Sequence, residues 1–435
     1  MDQKIIRDPV YDYISIDGDD RWLLDLLDTP EMQRLRYIHQ LGVSYLVYPG
    51  ATHTRFSHSL GVMHLMKEVL WHLKEEKCVT LKREDRDALL AVAVVHDVGH
   101  GPFSHLLESK WGGKHEDWSH RIILDEGSGV NQVLKKKGLV KRVAALLEKE
   151  QGGAPSWQKS LISSQLDVDR MDYLMRDSHF TGVGYGKYDY YRLIHTMALE
   201  DATKQKGQRV PNKQPVWPDK TKYALEQYVF ARYYMYQSVY FHSCTRGYEK
   251  LLDAIWNRAK DLATTGRKPL LPPVAPFFRN DYEPTVEEYV RLQEYHVFSQ
   301  IELWKNARDP VLADLCRRFL ARRGFKAIPL TEAMTGFSGS DKISKAVGIL
   351  ARAGGNFALA PRCYLLEDKG GVEPYKPYRW SDKEASQPIL IRQQGKVQEI
   401  SEVLARLKSV TTRDEQFVRY YCPAEQRKPI AAALS

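Results

Sequence analysis

Ala88-Leu89-Leu90-Ala91-Val92-Ala93-Val94-Val95-His96-Asp97-Val98-Gly99-His100-Gly101-Pro102 runs from an unbroken apolar segment into a cluster of histidine, aspartate and glycine. Residues 88–95 have no polar face, the pattern of a helix buried on every side, and Gly99 with Gly101-Pro102 breaks it. His96 and Asp97 therefore emerge from the middle of a helical core. An unpaired imidazole and carboxylate there are costly to bury, so the pair needs a metal or, as the alternative, a structural ion pair.

Working outward, the helical period dominates from residue 30 to about 325. Val62, Leu65, Met66, Val69, Leu70 and Leu73 recur at three-four spacing in a helix that starts just after His58. Thr29-Pro30-Glu31 opens an earlier helix, with a capping hydroxyl, a proline at the first helical position and an acid for the dipole; this predicts helix over 32–41. Polar stretches at Asp201 to Asp219 and Thr264 to Asp281 read as long surface loops flanking a helical run from about Lys220 to Lys260. Beyond residue 326 short β-prone pieces appear: Lys326 to Leu330, Cys363 to Leu366 and Ile389 to Ile391. The fold class is mainly α: a helical core over 1–325, a small C-terminal α+β lobe over 326–423, and a loose tail over 424–435.

Composition narrows the class. The chain has 435 residues, enough for a sizeable core, and 64 Lys+Arg against 55 Asp+Glu leave a net charge of +9, which favours phosphate-bearing partners. Residues 88–95 form the longest apolar run, far short of the roughly 20 residues of a spanning helix. The N-terminus, Met1 to Arg7, is charged where a secretory signal is apolar, so a cytoplasmic location is expected and no membrane is involved. Five scattered cysteines without a CxxC pair indicate neither a disulfide framework nor a thiolate zinc site, and are expected to be buried small hydrophobes.

A hydrolytic metal centre needs a few converging ligands and one position open for water. His58, His96, Asp97 and Asp169 supply these from three helices; the donors suit Fe, Mn, Zn or Ni alike. His100, His105 and His115 follow within twenty residues, with Glu108 able to hold one imidazole charged and oriented. Asp169, Tyr173 and Asp177 fall at i, i+4 and i+8 of one helical face, so ligand, aromatic and carboxylate line one wall. Arg232, Tyr236 and Tyr240 repeat that spacing, giving a guanidinium for phosphate and phenols for a sugar or base. That aromatic stripe also fits plain core packing.

Four segments together carry a family resemblance: residues 28–42 (DTPEMQRLRYIHQLG), Arg55-Phe56-Ser57-His58-Ser59-Leu60-Gly61-Val62, residues 96–105 (HDVGHGPFSH), and Asp167-Val168-Asp169-Arg170-Met171-Asp172-Tyr173. Over most of 1–325 the chain resembles the HD-domain deoxynucleoside triphosphate triphosphohydrolases, the vertebrate SAM-and-HD enzyme and its bacterial relatives. The resemblance implies an HD-domain core with an N-terminal regulatory segment and makes the same four residues the ligands of a divalent metal, with Mg accompanying the triphosphate. His105 then stands for the proton donor, with His100, His115 and Glu108 around it. Arg170, Tyr173 and Arg232 match phosphate contacts, Gln40 and Asp177 the sugar 3′-hydroxyl contacts, and Arg55 the residue against the base. Leu41 and Tyr240 match the pair that crowds the 2′ position.

Lys4, Asp28, Gln33 and Arg36 match positions that hold a guanine nucleotide between subunits, and Asp with Arg and Gln suits the guanine edge. Without the resemblance they read as solvated charges at a helix start. Arg7 and Pro218 depart from the family's asparagine and arginine at a second regulatory nucleotide. The expected substrate is a dNTP, the expected activator a guanine nucleotide, and the expected assembly a homotetramer. An HD phosphohydrolase acting on another nucleotide or phosphate ester, and a nucleotide-responsive or single-stranded nucleic-acid-binding protein, are the alternatives; nucleic acid is otherwise a secondary partner.

Overall fold

The computed structural model describes residues 3–148, 157–203, 209–263, 270–279, 282–329, 339–372, 375, 388–407 and 415–435. The chain opens on an antiparallel hairpin, β1 (Lys4–Asp8) and β2 (Asp12–Ile16). Asp8 builds its turn, the Oδ1 atom accepting from the amides of Val10 (2.9 Å) and Tyr11 (3.1 Å).

Among the described residues ten α-helices follow before the next strand: α1 (Trp22–Leu27), α2 (Pro30–Gln33), α3 (Arg55–Glu75), α4 (Arg83–Val95), α5 (His115–Leu124), α6 (Gly129–Lys136), α7 (Val140–Leu147), α8 (Trp157–Ser160), α9 (Val168–Thr181) and α10 (Tyr190–His195). After the strands β3 (Ala198–Thr203) and β4 (Arg209–Pro218), the core resumes with α11 (Lys222–Met235), α12 (Ser243–Ala263), α13 (Val286–Arg291), α14 (Glu294–Trp304) and α15 (Pro310–Leu320).

As its sequence requires, α4 is buried on all sides from Ala88 to Val95. It packs beside α3, whose Thr54 cap accepts from the Ser57 amide, and α3 in turn crosses α9. The α3–α9 crossing depends on Gly61: a Cβ there would lie 1.8 Å from Asp172 Oδ1. Gly99 does the same for α5, since its Cβ would meet the His115 carbonyl oxygen at 2.1 Å. Asp167 caps α9 by accepting from the Arg170 amide at 2.7 Å, and Gly182 ends it in the left-handed conformation.

The C-terminal region holds β5 (Lys326–Pro329), α16 (Gly339–Arg352), α17 (Gly355–Leu359), β6 (Leu366–Val372), β7 (Leu390–Gln393), β8 (Lys396–Glu399), α18 (Ile400–Val403) and β9 (Glu415–Cys422). One sheet has the order β5-β9-β6 and is antiparallel; the other, β3-β4-β7-β8, joins the lobe to the core through parallel pairing of β4 with β7.

Several expectations are corrected. The last residues are no loose tail: Arg427–Leu434 is a helix that buries Ile430 and Leu434 and packs on α16. The segment 201–219 is not a surface loop where it is described; β3 and β4 extend into it, and Val216 and Trp217 are buried. Helix does not reach residue 41, because it tightens to a 3₁₀ turn over Arg34–Tyr37 and Ile38 is extended, so that His39 pairs with Thr54. In 264–281, the described part turns through Ala275–Phe278 and buries Phe277 and Phe278. Cys363 closes a 3₁₀ turn instead of starting a strand, and Cys244 is exposed. No helix among the described residues is long and apolar enough to cross a membrane.

Candidate active site

His58, from the first turn of α3, His96 and Asp97, from the end of α4, and Asp169, from the first turn of α9, converge. His58 Nε2 lies 3.3 Å from His96 Nε2, 3.0 Å from Asp169 Oδ1 and 3.7 Å from Asp97 Oδ2. His96 Nε2 stands 3.7 Å from Asp169 Oδ1 and 3.5 Å from Asp97 Oδ1. The other nitrogen of each imidazole is already engaged: His58 Nδ1 with Asp172 Oδ2 at 2.7 Å, and His96 Nδ1 with the Ala93 carbonyl at 3.0 Å. That arrangement fixes the tautomers and turns both Nε2 lone pairs toward one point. His58, His96 and the Asp169 carboxylate so disposed could hold a divalent cation, with Asp97 beside them and also grouped with His100 and His115.

The electrostatics agree. Burial works against a charged His58, yet the Asp169 and Asp172 carboxylates outweigh it and push its pKa up to about 10. Burial alone would raise Asp169, but hydrogen bonds from His58 and His96 hold its carboxyl far below the usual range. Without a cation the two carboxylates therefore favour a proton on His58, where a bound metal ion would take its place.

Beside it the HD turn is strained. Phe103 and Ser104 both have positive φ, 60° and 47°, a conformation disfavoured without glycine. Tyr289 donates to the Gly99 carbonyl at 2.6 Å, and Ser119 accepts from the Gly99 amide and donates to the His96 carbonyl, both at 2.9 Å. The His100 and His115 rings stack 3.8 Å apart, His100 Nε2 lies 3.4 Å from Asp97 Oδ1, and Glu108 binds His115 Nδ1 at 2.5 Å. His105 lies in the 3₁₀ turn Ser104–Leu106, and its side chain is outside the described residues. Arg55, expected against a base, is turned inward: Nη1 donates to Asp97 Oδ2 at 2.5 Å, and Nε and Nη2 to Ser104 Oγ.

Farther along α9, Arg170 is paired with its own cap, Asp167, at 2.5 Å. Arg232, on α11, sits over the Tyr236 ring at 5.8 Å, and its buried Nε and Nη1 donate to nothing among the described residues. Tyr173 and Tyr240 rings meet at 6.3 Å, and Tyr240 donates to Asp177 Oδ2 at 2.8 Å. The Gln40 backbone N–H donates to the His53 carbonyl at 3.0 Å, the side-chain Oε1 is buried without a partner among the described residues, and the neighbouring Leu41 packs partly buried against the core. At the surface, Arg36 donates to Gln33 Oε1 (2.8 Å) and Gln33 to Asp28 Oδ1 (3.5 Å), one connected row; among the described residues Lys4 takes no part in it and stands exposed at the start of β1.

The sequence reading missed His53, whose Nε2 holds Asp177 Oδ1 at 2.7 Å, and Asp172 behind His58. Asp172 carried a usable signal, three residues after Asp169 and four before Arg176 on the same helix; His53, alone in a turn, carried none.

A helical core presenting an HD centre of this kind, with arginines and tyrosines beside it, defines a metal-dependent phosphohydrolase. The family model for the HD domain matches residues 55–177. The uncharacterized protein YwfO of Bacillus subtilis is 35% identical over 429 residues, 98% of this chain and 93% of that protein. A phosphohydrolase (BT4208) from Bacteroides thetaiotaomicron, known from its crystal structure, superposes with a TM-score of 0.80 at 29% identity, covering 97% of this chain and 100% of that one. The deoxynucleoside triphosphate triphosphohydrolase SAMHD1 of Gallus gallus is 35% identical over 237 residues, 47% of this chain and 38% of that enzyme. The chain belongs to the HD-domain phosphohydrolases, in one family with YwfO.

Proposed function

We propose that this protein hydrolyses deoxynucleoside triphosphates to deoxynucleoside and inorganic triphosphate. The observation that carries this is the wall of α9: Asp169 at the metal centre, then Tyr173, then Asp177 with the Tyr240 hydroxyl locked on it at 2.8 Å. A carboxylate so held can accept from a sugar 3′-hydroxyl, and by the family resemblance the apolar Leu41 and the Tyr240 ring would crowd the 2′ position.

In the proposed reaction a water adds to the α-phosphorus, the bond to the 5′ oxygen breaks, and His105 supplies the proton that oxygen takes. His58, His96, Asp97 and Asp169 would hold the cation, which when bound supplies Lewis-acid polarisation at the phosphate. Arg232, with donors to spare, together with Arg170 offsets the triphosphate charge, Mg²⁺ accompanying it. Glu108 keeps His115 oriented against His100. A guanine nucleotide at Lys4, Asp28, Gln33 and Arg36 is proposed to activate the enzyme by favouring a homo-oligomer, a tetramer.

The test is incubation of the Mn²⁺-loaded protein with each of the four dNTPs and rNTPs, with and without GTP, and chromatography of the products. Triphosphate and deoxynucleoside are expected. Mono- or diphosphate products, or preference for ribonucleotides, overturn the reading in favour of another phosphate ester; binding without turnover overturns it in favour of a nucleotide-responsive protein.

A further inference from the structure

Behind the metal centre, a row of buried charges leads away from His58 and ends on the N-terminal hairpin. Asp172 Oδ2 is shared between His58 Nδ1 (2.7 Å) and Arg176 Nε (2.8 Å), while Asp172 Oδ1 accepts from Arg176 Nη2 at 2.9 Å. The guanidinium thus forks onto Asp172, and its remaining Nη1 donates to Asp8 Oδ2 at 2.8 Å. His58, Asp172 and Arg176 are fully buried and Asp8 nearly so. The hairpin closes the row a second time, with the Tyr11 ring 5.8 Å from the Arg176 guanidinium. Gly61 is the residue that admits the Asp172–Arg176 pair against α3, its notional Cβ falling 2.4 Å from Arg176 Nη2.

We infer that Asp8 is a positioning residue for the metal centre, setting the orientation and donor strength of His58 through Arg176 and Asp172. Two arguments lead there. Removing the Asp8 carboxylate takes from Nη1 of a fully buried guanidinium its partner among the described residues; a fork that shifts toward another acceptor carries Asp172 and then the His58 ring with it. The charges also count: Asp172 and Arg176 alone cancel, and Asp8 makes the row net negative by one, which favours a cation at His58. Asp8 Oδ1 holds the turn amides of Val10 and Tyr11 and accepts a longer bond from Arg176 Nη2 (3.4 Å), while Oδ2 holds Arg176 Nη1 at 2.8 Å. The same strand that begins at the exposed Lys4 therefore ends on the metal centre's supporting row.

The inference rests on the reading of His58, His96, Asp97 and Asp169 as ligands, and Co²⁺ titration of the whole protein, followed by its visible absorption, tests the two separately. Asp8→Asn keeps an oxygen for the turn and removes the charge; it is expected to weaken Co²⁺ binding about tenfold, the low end for residues supporting a ligand, and to alter the absorption bands. In an Asp172→Asn background, where the row is already cut, adding Asp8→Asn should change Co²⁺ affinity no further. Wild-type affinity and bands in a folded Asp8→Asn protein, even one with a lowered melting temperature, overturn the inference, as does a fully additive double variant. Asp8→Ser, whose hydroxyl still accepts from the turn amides, decides the matter by the same measurements if Asp8→Asn does not fold. Failure of the wild-type protein to bind Co²⁺ overturns the ligand reading and this inference with it.

Discussion

Tyr240 donates its hydroxyl hydrogen to Asp177 Oδ2 at 2.8 Å while its ring faces Tyr173, so one residue both steadies a carboxylate and fills space. Under the proposed function the ring crowds the 2′ carbon. Tyr240→Ala should raise kcat/KM for ATP relative to dATP by about 10- to 100-fold, the range over which a pocket without a partner rejects an added hydroxyl. Leu41→Gly should act in the same direction. An unchanged ratio in both variants would place sugar recognition elsewhere.

Under the proposed function, loss of one of the four residues that would hold the cation leaves the others poorly placed for it. Asp169→Ala, or His96→Ala combined with Asp97→Ala, should abolish hydrolysis and bound metal together while helicity by circular dichroism is kept. Wild-type metal content by elemental analysis in an inactive variant would make these residues structural.

As the proposed proton donor, His105 should matter for chemistry more than for binding. His105→Ala is expected to lower turnover about a hundredfold or more with nucleotide affinity largely retained. Normal turnover across pH would pass the role to His115, which stacks on His100.

The row Asp28–Gln33–Arg36 offers a carboxylate, an amide and a guanidinium at the surface. Asp28→Ala should shift GTP activation to much higher concentration with the catalytic centre intact, and by linkage GTP should favour association in sedimentation runs. Full activity without guanine nucleotide and no change in assembly on adding it would remove the regulatory proposal.

Stability should carry a pH signature from His39, which engages Glu294 at 2.5 Å. Burial lowers the pKa of this imidazole, but the Glu294 carboxylate outweighs it and the net shift is upward. A raised folded pKa means the contribution is complete below the unfolded value of about 6.5 and is lost as pH climbs through the folded one. Glu294→Gln should therefore lower the urea midpoint more at pH 6 than at pH 9; equal losses at both would assign the effect to the backbone amides of His39 and Phe103, which also donate to Glu294.

What could be read in advance follows from how local each signal is. The run 88–95 has one physical solution, and it carries His96 and Asp97 to the place where His58 and Asp169 arrive. Arg55 was legible as a site residue, but its inward turn onto Asp97 depends on Ser104 being bent toward it by a positive φ, which no side-chain pattern announces. Asp8 was silent because its partner Arg176 lies far along the chain. Strand β4, with Pro211, Pro215 and Pro218, reads as a turn region; it becomes a strand because β3 and β7 bracket it. The terminal helix did carry a signal, Ile430 and Leu434 one turn apart among alanines, too short to outweigh its position at the chain end.

The parallel pairing of β4 with β7, Val216 beside Leu390 and Pro218 beside Arg392, has a consequence for biosynthesis. During translation β4 emerges long before its neighbour and must wait with one edge unpaired until residue 390 has followed it out of the ribosome. Pro218, in the stretch that β7 later pairs, has no backbone N–H to offer and so makes that edge a poorer template for another nascent chain.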